Sequence, residues 1–429
     1  MCAVRGLLWL LALALGAVPG PACGAQCGGA VPCSCGDVLD EHYRLPADLG
    51  PCPADGLVLH GGASLDCQGH TIRGTPGQAD VAGREGSVGI SLDGTINAEV
   101  RNCSVTGFRT GIEFRQAQRS TVLQSTVFRN GDVRTRVGYG IHFNRSQESA
   151  VRDSTVRENA DEGIHVGSGS NDNTLIGNSV YDNGREDFYL LDVRGTQVLG
   201  NRAGGKVSAT LYMKHAAASR VEANQFDDRP VVILGRSAGN VFTDNRLLGG
   251  LNFRAYRDGA KTEAPTGNVV RGGKLAASGA CLTFVEASDN RIDTVAIEGC
   301  QRITAYSERP TTNYFASIPL ERVPLDLAGG ARFRLLARVR VEVRGAGGAP
   351  VRGVRFNLRS STGETSEESP TDSDGAVELT VPTHVVSAGS LVTLTPVQLR
   401  LQAEGYSVLE SLLSDPLPQR LALVLEPAR

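Results

Sequence analysis

A short motif recurs along this chain and constrains its fold more than any other feature. The motif is Gly-Ile, then a variable residue, then a large apolar residue, and it reads GISL at Gly89, GIEF at Gly111, GIHF at Gly140 and GIHV at Gly163. Short apolar-polar segments such as QSTVFRN and DSTVREN follow it, with Gly, Asn, Asp and Ser between them. No helical period fits between such segments. Regular short strands at this spacing indicate a β-solenoid, and we predict a right-handed parallel β-helix.

Aligning the repeats assigns residues to the inside of the solenoid, because residues two apart on a strand share a face. Two polar columns are expected to form ladders in which each side chain bonds its copy in the next turn, so they are structural and not catalytic. The predicted apolar inward residues are Ile90, Leu92, Ile112, Phe114, Ile141, Phe143, Ile164, Val166, Leu190 and Met213. The predicted polar ladders are Ser120, Ser149, Asn173, Thr196, Ser219 and Asn240, and Asn130, Asn159 and Asn183.

The first 25 residues have the features of a secretory signal peptide, with Arg5, an apolar core and a small-residue end near Ala25. We therefore expect a secreted or periplasmic protein. A lipoprotein box ending at Cys23 fits poorly, and no later segment approaches the roughly 20 apolar residues of a membrane span. The net charge of -3, with both signs interspersed, gives no footprint for nucleic acid.

Eight cysteines remain after the predicted signal peptide, in a compartment that permits disulfides. Cys35 and Cys52 bracket a compact stretch and form the first expected bridge, and Cys27 with Cys33 forms the second. The two further pairs, Cys67 with Cys103 and Cys281 with Cys300, are expected to be stacked or bridged.

Several segments resemble a known group of exported proteins. These are CGD at Cys35, LGPCPADGLVLHGGASLDCQGHTIRG from Leu49 to Gly74, and the repeats that follow. They resemble secreted right-handed β-helix repeat proteins, NosD-like and CASH-type, with a pectate-lyase-like fold, over most of residues 26–316. The resemblance implies an extracytoplasmic solenoid. It leaves the activity open, because the group includes lyases, epimerases, hydrolases and proteins without known activity.

The predicted class is therefore all-β, a right-handed parallel β-helix followed by a small β-sandwich. The C-terminal segment alternates apolar and polar residues over short strands. It resembles carboxypeptidase-regulatory-like, transthyretin-like domains, and we expect it to cap the solenoid or dock on a surface partner. The predicted regions are a signal peptide (1–25), a disulfide-stabilised cap (26–56), the β-helix (57–316), a linker (317–332) and the β-sandwich (333–429).

The variable position of the motif points away from the core and carries an unusual series of side chains. In chain order it holds Ser91, Glu113, His142, His165, Tyr189 and Tyr212, and the next outward column includes Arg115, Asn144 and Lys214. Tyr139 and Glu162, each three residues before a histidine, add titratable groups at the edge. A solvated strand face more often mixes Thr, Ser, Lys and Glu. The series therefore marks a candidate functional surface.

The first hypothesis is that this surface binds or modifies an extracellular acidic polysaccharide by β-elimination or C5-epimerisation. That chemistry needs a cation near the uronate carboxylate, a base at C5 and an acid for the leaving oxygen. The catalytic candidates are His142, His165, Tyr189 and Tyr212, with His165 as the preferred neutral base beside a charged His142. The substrate-binding candidates are Glu113, Arg115, Asn144 and Lys214. No cofactor is expected.

Two alternatives remain open from the sequence. Glu113, His142 and His165 could instead ligate a zinc, copper or calcium ion, as in a NosD-like metal-associated periplasmic protein. The other alternative is a non-catalytic structural or adhesive solenoid, in which like residues in register simply stabilise neighbouring strands.

Overall fold

The structure is a computed structural model that describes residues 25–75, 87–318, 320 and 323–428. The predicted signal peptide lies almost entirely outside these residues. The chain divides into two compact units, Met1–Asp187 and Phe188–Arg429. No α-helix occurs among the described residues, and none of them forms a helix long and apolar enough to cross a membrane.

The first unit is a parallel β-solenoid in which each full turn contributes three short strands. Strands of successive turns pair in parallel. The first strands of the turns are Gln26–Cys27, Asp37–Leu39, Leu57–Leu59, Val88–Asp93, Thr110–Arg115, Ile141–Asn144 and Ile164–Val166. The second strands are His42–Arg44, Ser64–Asp66, Glu99–Arg101, Thr121–Leu123, Ala150–Arg152 and Thr174–Ile176. The third strands are Leu49–Cys52, Thr71–Gly74, Ser104–Thr106, Thr126–Phe128, Thr155–Arg157 and Ser179–Tyr181. A further strand, Glu186–Leu191, continues into the second unit.

The core of the solenoid follows the predicted columns. Every apolar residue predicted to point inward is fully buried. Phe114 and Phe143, at equivalent positions of successive turns, stack with ring centroids 4.2 Å apart. The repeat is therefore maintained by identical apolar side chains packing on their copies.

The polar ladders are also present, with one more kind of hydrogen bond than predicted. The amide of Asn130 donates to Asn159 Oδ1 at 3.0 Å, and the amide of Asn159 donates to Asn183 Oδ1 at 3.0 Å. In addition, the side chain of one turn accepts from the backbone N–H of the turn before it, as Ser149 Oγ does from Ser120 at 3.1 Å. The ladders thus satisfy buried backbone groups where the chain bends between strands.

All four expected cysteine pairs are disulfides. They are Cys27–Cys33, Cys35–Cys52, Cys67–Cys103 and Cys281–Cys300. Four disulfides indicate an oxidising, extracytoplasmic compartment.

The second unit begins as a parallel solenoid of the same kind. Its first strands are Ala209–Lys214, Val231–Leu234, Leu251–Arg254 and Ala280–Val285, and its second strands are Gln197–Leu199, Arg220–Glu222, Val241–Thr243, Val269–Arg271 and Arg291–Asp293. Its third strands are Arg202–Gly204, Gln225–Phe226, Arg246–Leu247, Lys274–Ala276 and Ala296–Glu298. A small hairpin, Tyr256–Asp258 with Lys261–Glu263, interrupts the turns.

Two long strands end the solenoid part of this unit. Arg302–Ala316 pairs in parallel with Leu325–Gly345, so that Ile303 faces Leu325 and Ala316 faces Leu336. The sequence predicts a linker at 317–332, but from Leu325 onward these residues belong to the second long strand. The backbone edge left by Arg302–Ala316 accounts for this difference, because pairing with it satisfies its hydrogen-bonding groups.

The C-terminal part is a small β domain made of two sheets. The first contains Leu325–Gly345, Ala376–Ser387, Ser390–Thr393 and Arg420–Leu425, and the second contains Arg355–Arg359, Thr365–Glu368, Val397–Gln402 and Leu409–Leu413. Apolar residues from both sheets form one core, including Val341, Val343, Phe356, Leu379, Leu399 and Leu401. The predicted fold class, a parallel β-helix followed by a small β domain, is confirmed.

Candidate functional site

The predicted outward column of the first unit is in register but is more buried than the sequence suggests. Glu113 faces His142, and His142 faces His165, on three adjacent strands. Glu113 is only 5% exposed and His165 only 8%. An insertion, RNGDVRTRVGY (residues 129–139), precedes the GIHF strand and ends at Tyr139. Tyr139 packs against both histidines, with ring centroids 4.7 Å from His142 and 5.0 Å from His165. The site is therefore an enclosed cluster and not an open strand face.

Glu113 orients His142. Nδ1 of His142 lies 3.5 Å from Glu113 Oε1, and Arg115 Nη2 donates to Glu113 Oε2 at 2.9 Å. Asn144 Nδ2 reaches Glu113 Oε1 at 3.5 Å. Burial acts to raise the pKa of Glu113, but the contacts with His142 and Arg115 hold it below its usual value. An ionised Glu113 favours the proton of His142 on Nδ1, which leaves a lone pair on Nε2.

His165 lies beside His142 in an edge-to-face arrangement, with ring centroids 5.1 Å apart. Burial, followed by repulsion from His142, lowers the pKa of His165 to about 3. Its Nδ1 lies 3.8 Å from Glu162 Oε2. His165 is consequently neutral at physiological pH, in the direction that the sequence predicts.

A pair of carboxyl groups borders the histidines, and sequence reasoning identified only one of them. Arg185 Nη1 lies 3.5 Å from Asp161 Oδ1 and 3.4 Å from Glu162 Oε1, and its Nε lies 3.7 Å from Glu186 Oε2. Burial, and then the charge of Glu162, raises the pKa of Asp161 to about 7. Burial also raises the pKa of Glu162. The pKa of Tyr139 is raised by burial and by the negative charges of Glu162 and Asp161. All three groups therefore retain protons at higher pH than usual.

Gly167 leaves a small space that both histidines face. A Cβ atom at this position would lie 3.4 Å from His142 Nε2 and 3.5 Å from His165 Nε2. Its nearest neighbour would be the carbonyl oxygen of Phe143, at 3.0 Å. The two imidazole nitrogens thus reach one point, which only a residue without a side chain keeps open. The repeat pattern alone does not indicate this role of Gly167.

The remaining predicted residues, Tyr189, Tyr212 and Lys214, belong to the second unit. The rings of Tyr189 and Tyr212 are 5.4 Å apart and half-buried. Lys214 Nζ lies 3.8 Å from the ring centroid of Tyr256 on the hairpin. The catalytic role of the two tyrosines and the substrate-binding role of Lys214 stay predictions.

The hairpin is held down by a second group of charges. His215 Nδ1 lies 3.1 Å from Asp192 Oδ1, and its Nε2 lies 2.8 Å from Glu263 Oε2. Arg236 approaches both carboxylates, at 3.2 and 3.6 Å. Tyr256 also packs on the small apolar cluster that contains Val232 and Leu234. These contacts hold the hairpin against the outside of the solenoid, where it covers apolar residues.

The three predicted metal ligands do not surround one point. Glu113 lies at Nδ1 of His142, whereas Nε2 of His142 and of His165 face Gly167. Within the described ranges, no group of three or more His, Cys, Asp or Glu side chains is arranged to hold a metal ion.

A comparison with protein families finds a match in the middle of the chain. The family model for "Periplasmic copper-binding protein (NosD)" matches residues 68–262. Copper is bound in proteins by imidazole, thiolate and thioether ligands. The cysteines that the structure describes are all oxidised, and Met213 is fully buried in the solenoid. The described residues therefore offer a copper ion no thiolate and no exposed thioether, and imidazole is the ligand type that they retain. No curated protein is significantly similar to the chain.

Several solved structures are similar to the chain at low identity. DFA-IIIase from Arthrobacter chlorophenolicus A6, in complex with DFA-III, is 12% identical, with 67% of this chain and 76% of that chain covered and a TM-score of 0.42. Alginate lyase from Paenibacillus sp. str. FPU-7 is 13% identical, with 70% and 91% covered and a TM-score of 0.31. The tailspike protein of E. coli bacteriophage HK620, in complex with a pentasaccharide, is 10% identical, with 87% and 82% covered and a TM-score of 0.35.

Proposed function

We propose that the first unit binds a uronate-containing extracellular polysaccharide and transfers protons at its C5 position, by β-elimination or C5-epimerisation. The observation that carries the proposal is the convergence of His142 Nε2 and His165 Nε2 on the space at Gly167, beside Tyr139. Two imidazole nitrogens at one point, with a phenol ring packed against both histidines, can remove a proton and supply another without a cofactor.

His142 is the proposed base. Its Nδ1 faces the ionised Glu113, which stabilises the imidazolium that forms when Nε2 accepts a proton. The low pKa of His165 makes it a weak base but a neutral neighbour that can share a hydrogen bond with substrate. This assignment exchanges the roles that the sequence suggested for the two histidines, because the carboxylate lies at His142.

Tyr139 is the proposed acid. Its raised pKa means that the phenol carries its proton through the neutral range. In β-elimination, His142 takes the C5 proton, the electron pair forms the C4–C5 double bond, and Tyr139 protonates the departing oxygen on C4. In epimerisation, Tyr139 instead delivers its proton to the opposite face of C5.

Arg185 and the protonated Asp161 are the proposed groups that neutralise the uronate carboxylate. A carboxylic acid can donate its proton in a hydrogen bond to the substrate carboxylate, and a guanidinium supplies the charge. Arg115 pairs with Glu113, whereas Arg185 lies among Asp161, Glu162 and Glu186, beside the carboxylic acid that would donate to the substrate.

The direct test is to incubate the exported protein with alginate, pectate and glycosaminoglycans. A β-eliminase will produce unsaturated uronates, seen by ultraviolet absorbance, and an epimerase will change the C5 configuration, seen by proton NMR. Retention on a polysaccharide resin without either change would reduce the proposal to binding. Neither reaction nor retention on any of these polymers would contradict it and favour a structural or adhesive solenoid.

Gly167 offers an independent check on where the substrate lies. Gly167→Ala should lower turnover by at least about tenfold, because the methyl group fills the space at which both Nε2 atoms point. The matched control is Gly347→Ala, since a Cβ at Gly347 meets nothing within 4 Å. Full activity of Gly167→Ala, with an unchanged thermal midpoint, would place the reacting carbon elsewhere.

A further inference from the structure

The second unit contains a cleft of about 680 Å³ between its last solenoid strands and its C-terminal β domain. Small-molecule sites in proteins typically have volumes of roughly 300–1,000 Å³. The cleft combines apolar surface with hydroxyl groups and planar charged groups. Its walls include Asp289, Arg291, Tyr314, Arg334, Leu358 and Ser366.

One wall is a column of flat side chains in register. Arg291 faces Tyr314, and Tyr314 faces Arg334, on three adjacent strands. Neighbouring strands are about 4.8 Å apart, so these three side chains lie side by side on one face of the sheet. All three side chains are half-buried, which leaves part of each facing the cleft.

The β domain contributes a different kind of surface. Leu358 and Pro382 are buried and supply apolar contact. The exposed edge strand Thr365–Glu368 places small hydroxyl side chains at the opening. The cleft therefore offers both an apolar face and many hydrogen-bonding groups.

The walls are fixed before any ligand arrives. Asp293 is fully buried and forms ion pairs with Arg338 and, at 3.4 Å, with Arg291. Arg338 also binds Glu378 of the β domain at 2.6 Å. Together with the long strand Leu325–Gly345, which runs through both parts, these contacts hold the cleft in one shape and lower the ordering cost of binding.

Most charged side chains of the cleft form ion pairs within the protein. Arg334 forms a close ion pair with Glu364, and Arg291 is shared with Asp293. Burial raises the pKa of Glu368, which favours its uncharged form. Asp289, exposed in the lining, adds a carboxylate that accepts a hydrogen bond from the Ser288 hydroxyl. A polyanion would therefore find no uncompensated positive charge here.

We infer that this cleft binds a short oligosaccharide whose sugar residues carry no charge. A pyranose ring presents an apolar C–H face to Tyr314 and hydroxyl groups to the guanidinium, carboxyl and hydroxyl side chains. The inference goes beyond the proton-transfer site of the first unit and does not depend on it. It gives the C-terminal part a role in holding a polysaccharide.

The test uses the full exported chain and saturation-transfer NMR with neutral trisaccharides of glucose, mannose and galactose, and with a trigalacturonate. At least one neutral trisaccharide should bind saturably and more tightly than the trigalacturonate. Tyr314→Ala should weaken that binding at least about tenfold, because it removes the stacking surface. Ser366→Trp, at an exposed position of the opening, should block it to a similar extent.

Thr393→Trp, on an exposed strand of the other sheet, is the matched control and should bind normally. Binding that persists in Ser366→Trp, tighter binding of the trigalacturonate, or no binding of any neutral trisaccharide would each overturn the inference. A failure of the proposed lyase or epimerase activity appears instead as absent product from uronate polymers. It leaves trisaccharide binding unchanged, so the two failures are distinguishable.

Discussion

Replacing His142 by glutamine is expected to lower kcat on a uronate polysaccharide by about a thousandfold and to change KM by less than about threefold. Glutamine keeps a polar group of similar length beside Glu113 but cannot accept a proton at the position of Nε2. The loss should therefore fall on the chemical step and not on substrate binding. Initial rates from product absorbance or NMR, over a range of substrate concentrations, separate kcat from KM.

The dependence of activity on pH tests the proposed role of Asp161. Uronate binding requires the protonated Asp161, so activity should fall as pH rises through about 7. Asp161→Asn keeps a neutral hydrogen-bonding group and should extend activity to higher pH.

His60→Gln is the matched control, because His60 is exposed just after the strand Leu57–Leu59 of the same unit, and it should retain full activity. Equal activity of His142→Gln and the unmodified protein on a polymer that the protein modifies would exclude His142 as the base. A thousandfold loss of kcat in His165→Gln, with no loss in His142→Gln, would support the assignment that the sequence suggested, in which His165 is the base.

The part of the fold that repeats could be predicted from sequence because each inward residue packs on its own copy. The apolar column around Phe114 and Phe143, and the amide ladder around Asn159, depend on local periodicity and parallel register. Cys281 and Cys300 lie nearly one turn apart in the sequence, and this spacing indicated a stacked or bridged pair. The strand Leu325–Gly345 was missed because it pairs beyond the repeat, where no period indicates a partner.

The candidate site was only partly predictable, because its enclosure comes from segments that do not repeat. The column gave Glu113, His142 and His165, yet their burial depends on the path of the insertion that ends at Tyr139. Asp161 showed no periodic signal, and its raised pKa depends on burial beside a second carboxyl. From the sequence alone, two neighbouring acidic residues of this kind are assigned to a charged turn.

Asp161 and His165 are expected to affect stability in opposite directions over nearly the same pH range. The pKa of Asp161 rises from 3.8 to about 7 on folding. Between these values the unfolded chain has released the proton and the folded chain holds it, so stability falls as pH rises. The pKa of His165 falls from 6.5 to about 3. Between these values the unfolded chain is protonated and the folded chain is not, so stability falls as pH decreases.

Single substitutions should separate the two effects. Asp161→Asn removes the penalty at alkaline pH, and it should stabilise the protein at about pH 8 by on the order of 2 kcal/mol and by almost nothing at about pH 4. The full shift of Asp161 would correspond to about 4 kcal/mol, but its coupling to Glu162 and its ion pair with Arg185 reduce the gain. His165→Asn should show the reverse, with stabilisation at about pH 4 and none at about pH 8.

Urea unfolding of the two variants and the unmodified protein at several pH values measures these differences. In the unmodified protein the contributions of Asp161 and His165 oppose each other between about pH 4 and pH 6.5. Asp161→Asn should become more stable as pH rises through this interval, and His165→Asn less stable. Parallel curves for all three proteins would mean that neither group changes its pKa on folding. The protonated Asp161 that the proposed uronate binding requires would then be absent.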